Sequence, residues 1–187
     1  SMSYEELLPY LHTHEQLPDA IPYRTTYYKR TWGFCLSRNQ LSQDFNSHES
    51  YEVKIDSNLD SAGSMSVGEL FIPGRTQREI LISTYLCHPS LANDNLSGVV
   101  LTTFLARYLQ EQDNYYSYRI LFLPETIGPI AYAALFPENL ENTELALVPT
   151  TVGGPGKLGY KQSFVKDHFV HDLVDLALSE IDSDYVI

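Results

Sequence analysis

The chain has 187 residues, 43% of them hydrophobic and 19% charged, enough apolar material for one domain with a small appendage. Its 24 acidic residues against 12 basic ones give a net charge of −12, which argues against a nucleic-acid partner or an anionic membrane surface, since both need clustered Lys and Arg. No stretch approaches the ~20 apolar residues of a membrane span, and two cysteines, Cys35 and Cys87, are too few for a disulfide framework, so a reducing, cytoplasmic setting is expected.

Residues 3–11 start with a Ser and carry Glu6 three positions on, the capping-box pattern of a short helix that Pro9 or Pro18 ends. His12 and His14 read as solvated side chains rather than a metal pair, because no acid stands at a regular spacing from them. Residues 21–37 are dense in Tyr, Thr, Trp and Phe and read as a strand. Arg24, Lys29 and Arg30 form a basic cluster there, read as the solvated face of an edge strand, with a substrate-carboxylate role as the alternative. Trp32 reads as core. Residues 40–50 read as loop, and 50–57 as a half-buried strand in which Tyr51, Val53 and Ile55 alternate with Glu52, Lys54 and Asp56. A turn at 58–64 and a strand at 65–72, ended by Pro73-Gly74, complete what reads as an all-β unit of short antiparallel strands over residues 1–75.

From residue 76 to 187 the pattern changes. Residues 80–86 are an apolar run without charge, read as a buried strand, although so short a run also suits a helix. Pro89 stops its ladder. Leu96, Val99, Val100, Thr103 and Phe104 recur at helical spacing, which predicts a helix over 94–110 with Asn93, Asp94 and Asn95 placed to cap it. Strands are expected at 116–123 and 145–152, and helices at 127–135 and 169–181. Strands alternating with helices imply an α/β fold with a mostly parallel sheet, flanking helices and right-handed crossovers. About three strands fall short of the usual ~5–6, so the domain is expected to be incomplete on its C-terminal side.

His88 follows the end of the first of these strands, Asp94 opens the helix after it, and Glu125 follows the second strand. Open α/β sheets gather ligand sites at the carboxyl ends of their strands, so the three can converge. Imidazole and carboxylate are ligands that zinc accepts. Zinc lowers the pKa of a water toward ~7, and a free carboxylate can pass that water's proton to a leaving amine. That is the apparatus for hydrolysing an amide. On spacing alone, the readings as helix cap and hydrogen-bonded His stand first. Cys87 is expected to point away from His88 into the core, as neighbours in a strand do. Residues 153–157 imitate a phosphate loop without its GxxxxGK[ST] spacing and read as a flexible rim loop.

The segment His88-Pro89-Ser90-Leu91-Ala92-Asn93-Asp94-Asn95-Leu96-Ser97-Gly98 resembles the metal-binding segment of zinc aminopeptidases of the phosphorylase/hydrolase-like exopeptidase fold, and Asp94 to Gly98 matches that family's D-(D/N)-x-S-G motif. Glu125-Thr126-Ile127-Gly128 resembles its E-E-x-G. Taken with residues 21–37 and 68–74, these segments look most like an uncharacterised bacterial group of aminopeptidase-like proteins. That group carries a small β domain inserted in the peptidase domain and commonly a winged helix after it. The resemblance implies that residues 1–75 belong to the inserted β domain and 76–187 to an incomplete aminopeptidase-like domain. It implies zinc held by His88 and Asp94, Glu125 as general base, and a peptide or small amide as substrate. Two departures stand out: Thr126 replaces the second Glu of E-E-x-G, and Thr150 stands where a ligand Asp is expected. One zinc ion remains, with its third ligand expected outside this chain; His168 and His171 lie outside the motif and read as surface residues. The rival class is a non-catalytic binding module on a degenerate exopeptidase fold. A homo-oligomer is left open.

Overall fold

In the computed structural model, which describes residues 1–24, 29–87, 92–181 and 184–187, the chain divides into two units, Ser1–Gly63 and Ser64–Ile187. The first opens with the expected capping box: the Ser3 hydroxyl accepts from the Glu6 N–H at 3.3 Å, and the Glu6 carboxylate accepts from the Ser3 N–H at 2.8 Å. The helix it starts, α1 (Tyr4–Leu7), tightens into a 3-10 turn at Leu8–Tyr10. Leu7, Leu11 and Leu36 form the core, with Trp32, Leu41 and Phe45 packed on it. Trp32 stacks on Tyr10 with ring centroids 4.0 Å apart, so it is core.

Among the described residues of this unit, the expected run of antiparallel strands does not form. Pairing among the described residues is confined to β1 (Met2–Ser3) antiparallel with β4 (Ser50–Tyr51), and β2 (Leu11–His12) parallel with β3 (Phe34–Cys35). Part of the 21–37 stretch, residues 25–28, lies outside the described residues. Residues 40–44, expected as loop, belong to α2 (Arg38–Asp44), because the Ser37 hydroxyl caps it by accepting from the Gln40 N–H at 3.0 Å. His14 is not simply solvated: its Nδ1 accepts from the N–H groups of Gln16 and Leu17, both at 3.1 Å, and closes a turn. Aromatic and Thr-rich composition favours strands only where a pleated surface is half-buried, and the apolar cluster here is too small to cover one.

The second unit is built on a four-stranded sheet of β5 (Gly68–Ile72), β6 (Glu79–Leu86), β7 (Ser117–Pro124) and β8 (Thr143–Leu147), in the order β5-β7-β6-β8. Strand β6 runs parallel to β7 and β8, and β5 is the antiparallel edge against β7. This is an α/β fold with a mostly parallel sheet and flanking helices. The strand 68–72, read from the sequence with the N-terminal residues, pairs into this sheet and sends Leu70 and Ile72 into its core. Strand β8 stops at Leu147 rather than 152; Pro149 has no N–H for the ladder, and the residues after it turn toward the end of β6.

Adjacent residues on a strand face opposite sides of a sheet. Ile82 and Ile120 therefore pack with Ala106 and Leu109 of α3 (Gly98–Gln110), whereas Leu121 and Leu123 pack with Tyr132 of α4 (Ile127–Leu135). The chain moves from β6 through α3 to β7, then through α4 back past β6 to β8. Right-handed connections running in opposite directions put their helices on opposite faces, which is where α3 and α4 sit. In open α/β sheets the carboxyl ends of two neighbouring strands whose helices lie on opposite faces are where ligands bind, which singles out the ends of β6 and β7. Helix α5 (Val170–Ile181) follows later in the chain.

Beside Tyr132, the Arg119 guanidinium pairs with Glu79 at 2.8 Å and with Glu69, and the Tyr132 hydroxyl donates to Glu69 at 2.9 Å. The Arg119 and Glu79 side chains are only 11% and 7% exposed, so removing one strands the other charge. Arg119→Met is expected to lower unfolding free energy by about 3–5 kcal/mol in chemical denaturation, the usual penalty for breaking a buried pair from one side.

Candidate functional site

Strand β6 ends with Leu86 opposite Pro124 of β7, so Cys87 and Glu125 come next on neighbouring strands. The Glu125 N–H donates to the Leu86 carbonyl at 3.1 Å, and the Cys87 thiol donates to Glu125 Oε2 at 3.2 Å. Both side chains are exposed. The expectation that Cys87 turns into the core is therefore wrong: the ladder has ended, and strand alternation no longer governs where the thiol points. His88 lies outside the described residues.

Immediately after the acid, the Glu125 carbonyl accepts from the Ile127 N–H at 2.6 Å across Thr126, whose φ and ψ are 60° and −60°. This is a γ-turn of the rare, strained hand, and a β-branched residue at its centre is an outlier. Strained backbone collects at functional sites, where the surrounding packing enforces it. Here the enforcement is visible two residues on. A side chain at Gly128 would put its Cβ 2.7 Å from that of Leu123, so α4 is seated directly on the end of β7.

Asp94 is placed by its neighbour. Asn95 has no exposed surface; its Nδ2 donates to Thr84 Oγ1 at 2.9 Å and to the Tyr85 carbonyl at 3.2 Å, and its Oδ1 accepts from the Thr151 N–H at 3.1 Å. With Asn95 drawn into the sheet end, Asp94 and Asn95 leave the helical path and are joined by a cis peptide bond. The helix expected over 94–110 accordingly begins at Gly98, after a π-type turn at Asn93–Ser97. Asn93 and Asn95 do not cap it: Asn93 Oδ1 accepts from the Gly153 N–H at 2.8 Å, so both asparagines tie down residues 151–153. Gly98 is required by space, since a Cβ there would collide with Asn95 Oδ1 and the Pro149 carbonyl.

The residue that sequence reasoning missed is Tyr85. Its hydroxyl lies 2.6 Å from Asp94 Oδ1 and 2.6 Å from Thr150 Oγ1. Burial pushes the phenol pKa up, the hydrogen bond to Asp94 adds to this, and the charges of Asp94 and Glu125 push the same way, against a hydrogen bond from Thr150. The phenol is therefore protonated at neutral pH. A Tyr near the end of the strand that leads into the His-bearing segment was the available signal.

The structure thus brings Glu125 to Cys87, and Asp94 and Thr150 to Tyr85, at the carboxyl ends of β6 and β7. Among the described residues, no three His, Cys, Asp or Glu side chains are grouped to hold a metal ion, so these residues do not complete a zinc site by themselves. Asp94 is a donor of the right chemistry; the count falls short. His171, expected on the surface, is buried: its Nδ1 is 2.6 Å from the Tyr160 hydroxyl and its Nε2 is 2.9 Å from the Val165 carbonyl, which pins residues 160–165 to α5. His168 Nδ1 accepts from the Val170 N–H at 3.2 Å.

Acids and a phenol at the carboxyl ends of neighbouring parallel strands stand where open α/β sheets bind ligands. The chain belongs to the family described as "Domain of unknown function (DUF4910)", whose profile matches residues 16–187. It is 44% identical over 187 residues to a Clostridium acetobutylicum protein named "Putative polysaccharide biosynthesis protein with aminopeptidase-like domain", and spans 42% of that protein's length. It is similar, with a TM-score of 0.73 and 44% identity, to the crystal structure of a "putative peptidase" from Clostridium acetobutylicum, covering 99% of this chain and 43% of that one. No helix among the described residues is long and apolar enough to cross a membrane.

Two stability measurements check this account. Asn95→Ala leaves the Thr151 N–H and the Thr84 and Tyr85 oxygens without their partner, and is expected to lower unfolding free energy by about 3 kcal/mol. Thr126→Gly is expected to act in the opposite sense, raising it by about 1 kcal/mol, because glycine adopts positive φ without the steric penalty.

Proposed function

We propose that the full-length protein is an aminopeptidase-like hydrolase that cleaves a peptide or small amide bond, and that this chain carries its general base and part of its zinc site. The observation that supports the reading is one of placement: Asp94, hydrogen-bonded to Tyr85 of β6, and Glu125, hydrogen-bonded to Cys87 just after β6, both lie at the carboxyl ends of β6 and β7 although they are 31 positions apart in the sequence. Asp94 and His88 would be zinc ligands, with a third ligand supplied from outside this chain. Zinc, when bound, makes a water acidic enough to lose a proton near neutral pH.

Glu125 is suited to take that proton. Its carboxylate is exposed, and the Cys87 thiol donates to Oε2. Among the described residues nothing reaches Oε1, which leaves that oxygen to accept the proton and return it to the leaving amine. The strained turn at Thr126 and the seat of Gly128 on Leu123 hold the carboxylate's backbone in one place, and a fixed base is what proton transfer needs. The names of the two Clostridium relatives, aminopeptidase-like and peptidase, support the same class.

A second reading has its own observation. Threonine at 126 and 150, and no three-donor group among the described residues, suit a module that kept the strand ends for binding and lost the chemistry. Hydrolysis of aminoacyl amides by the full-length protein separates the two. Activity is expected, and Glu125→Gln should reduce kcat by about 10²–10⁴-fold while KM changes little, the usual weight of a positioned proton carrier. Full activity in that variant overturns the assignment of the base, and no activity in the wild type on any aminoacyl amide favours the binding module.

A further inference from the structure

Helix α3 has two apolar faces, and the sheet uses one of them. Ala106 and Leu109 pack with Ile82 and Ile120, and Thr102 on the same helix has no exposed surface. Val100, Phe104 and Tyr108 follow one another at i, i+4 and i+8 and so stand in one row, with Leu101 beside Phe104 and Tyr108. In that order these four side chains are 46%, 65%, 59% and 47% exposed. The row is not the solvated side of an ordinary amphipathic helix. That side is a separate sector of Thr103, Arg107 and Gln110, where Arg107 pairs with Glu111 at 3.8 Å. A surface helix of a globular protein carries one apolar stripe, and a helix that is apolar on further sides is one that is packed on further sides.

We infer that the face formed by Val100, Leu101, Phe104 and Tyr108 is an interface inside the full-length protein, covered by the part of the polypeptide outside residues 1–187. The two Clostridium acetobutylicum relatives are matched over 42% and 43% of their lengths, so more of each lies outside the matched part than within it. A segment tethered to the same chain meets this face at a high effective concentration, whereas a separate partner has to be recruited from dilute solution. A second copy fits less well. Helix α4, on the opposite face of the sheet, leaves Ile127, Ile130 and Leu135 exposed too, and a two-fold contact covers one patch on each copy. The net charge of −12 also sets two copies against each other. The inference concerns packing alone and is independent of any chemistry at the strand ends.

The test is photo-cross-linking of the full-length protein with p-benzoylphenylalanine in place of Phe104. Isotopically light and heavy copies are mixed and left to exchange before irradiation, and the cross-linked peptides are mapped by mass spectrometry. The expected result is cross-links from position 104 to residues outside 1–187, with both peptides always of one isotopic form. Cross-links that join light to heavy peptides overturn the inference in favour of a second copy. Cross-links confined to residues 1–187, or none at all, overturn it as well, since the face is then open to solvent or kept for another protein. Hydroxyl-radical labelling of the wild-type full-length protein runs alongside and decides alone where the variant does not fold. Tyr108 is expected to lose labelling to the level of Tyr132, which is 3% exposed. Tyr108 labelled as fast as in the denatured protein, or protected only until the sample is diluted, overturns the inference.

Discussion

The Asn95 carboxamide ties together parts of the chain that lie far apart in sequence. Its nitrogen is bound to β6 through Thr84 and the Tyr85 carbonyl, and its oxygen to the backbone of Thr151. With no exposed surface, none of these contacts can be exchanged for water. An amide buried without partners is penalised by some 1–3 kcal/mol per group, so the backbone bends to keep them. Asp94 leaves the helical path for this reason, and the departure turns it toward the Tyr85 hydroxyl. Gly98 completes the arrangement, since any side chain there would displace Asn95 or Pro149. The motif that resembles a metal-binding signature is therefore half structural, with Asn95 and Gly98 setting the stage on which Asp94 stands.

Glu125 reaches the carboxyl end of the sheet by an independent route. Strands β6 and β7 are parallel neighbours in register, with Leu86 opposite Pro124, so the residues after each strand emerge side by side. The helices that follow, α3 and α4, pack on opposite faces of the sheet. Two carboxylates at neighbouring strand ends raise the local negative potential, which favours a cation or a proton there. Cys87 and Tyr85 supply the hydrogen-bond donors that the described residues bring to these acids.

Strands β6 and β7 were legible because a parallel strand buried on both faces is an almost continuous apolar run, which needs no partner to be seen. Helix α3 was legible in its body and not at its start, since the pull on Asn95 comes from Thr84 and Thr151, which no local pattern reveals. Cys87 was misplaced by carrying strand alternation one residue too far. His171 was misread because its partners, Tyr160 and Val165, come from a segment with no regular structure. In the first unit, aromatic and Thr-rich composition was taken for sheet. Strand preference there depends on a half-buried pleat, and the unit's core is too small to provide one.

The order of strands and helices in the second unit was determined by sequence alone. So was the position of Glu125 just past a strand end, because apolar runs and the prolines that close them are local properties of the chain. Tertiary structure alone decided that the thiol of Cys87 turns outward to Glu125, and that the hydroxyl of Tyr85 stands between Asp94 and Thr150. Those facts depend on strand order, on register and on one buried amide, each of which exists only once distant segments have met.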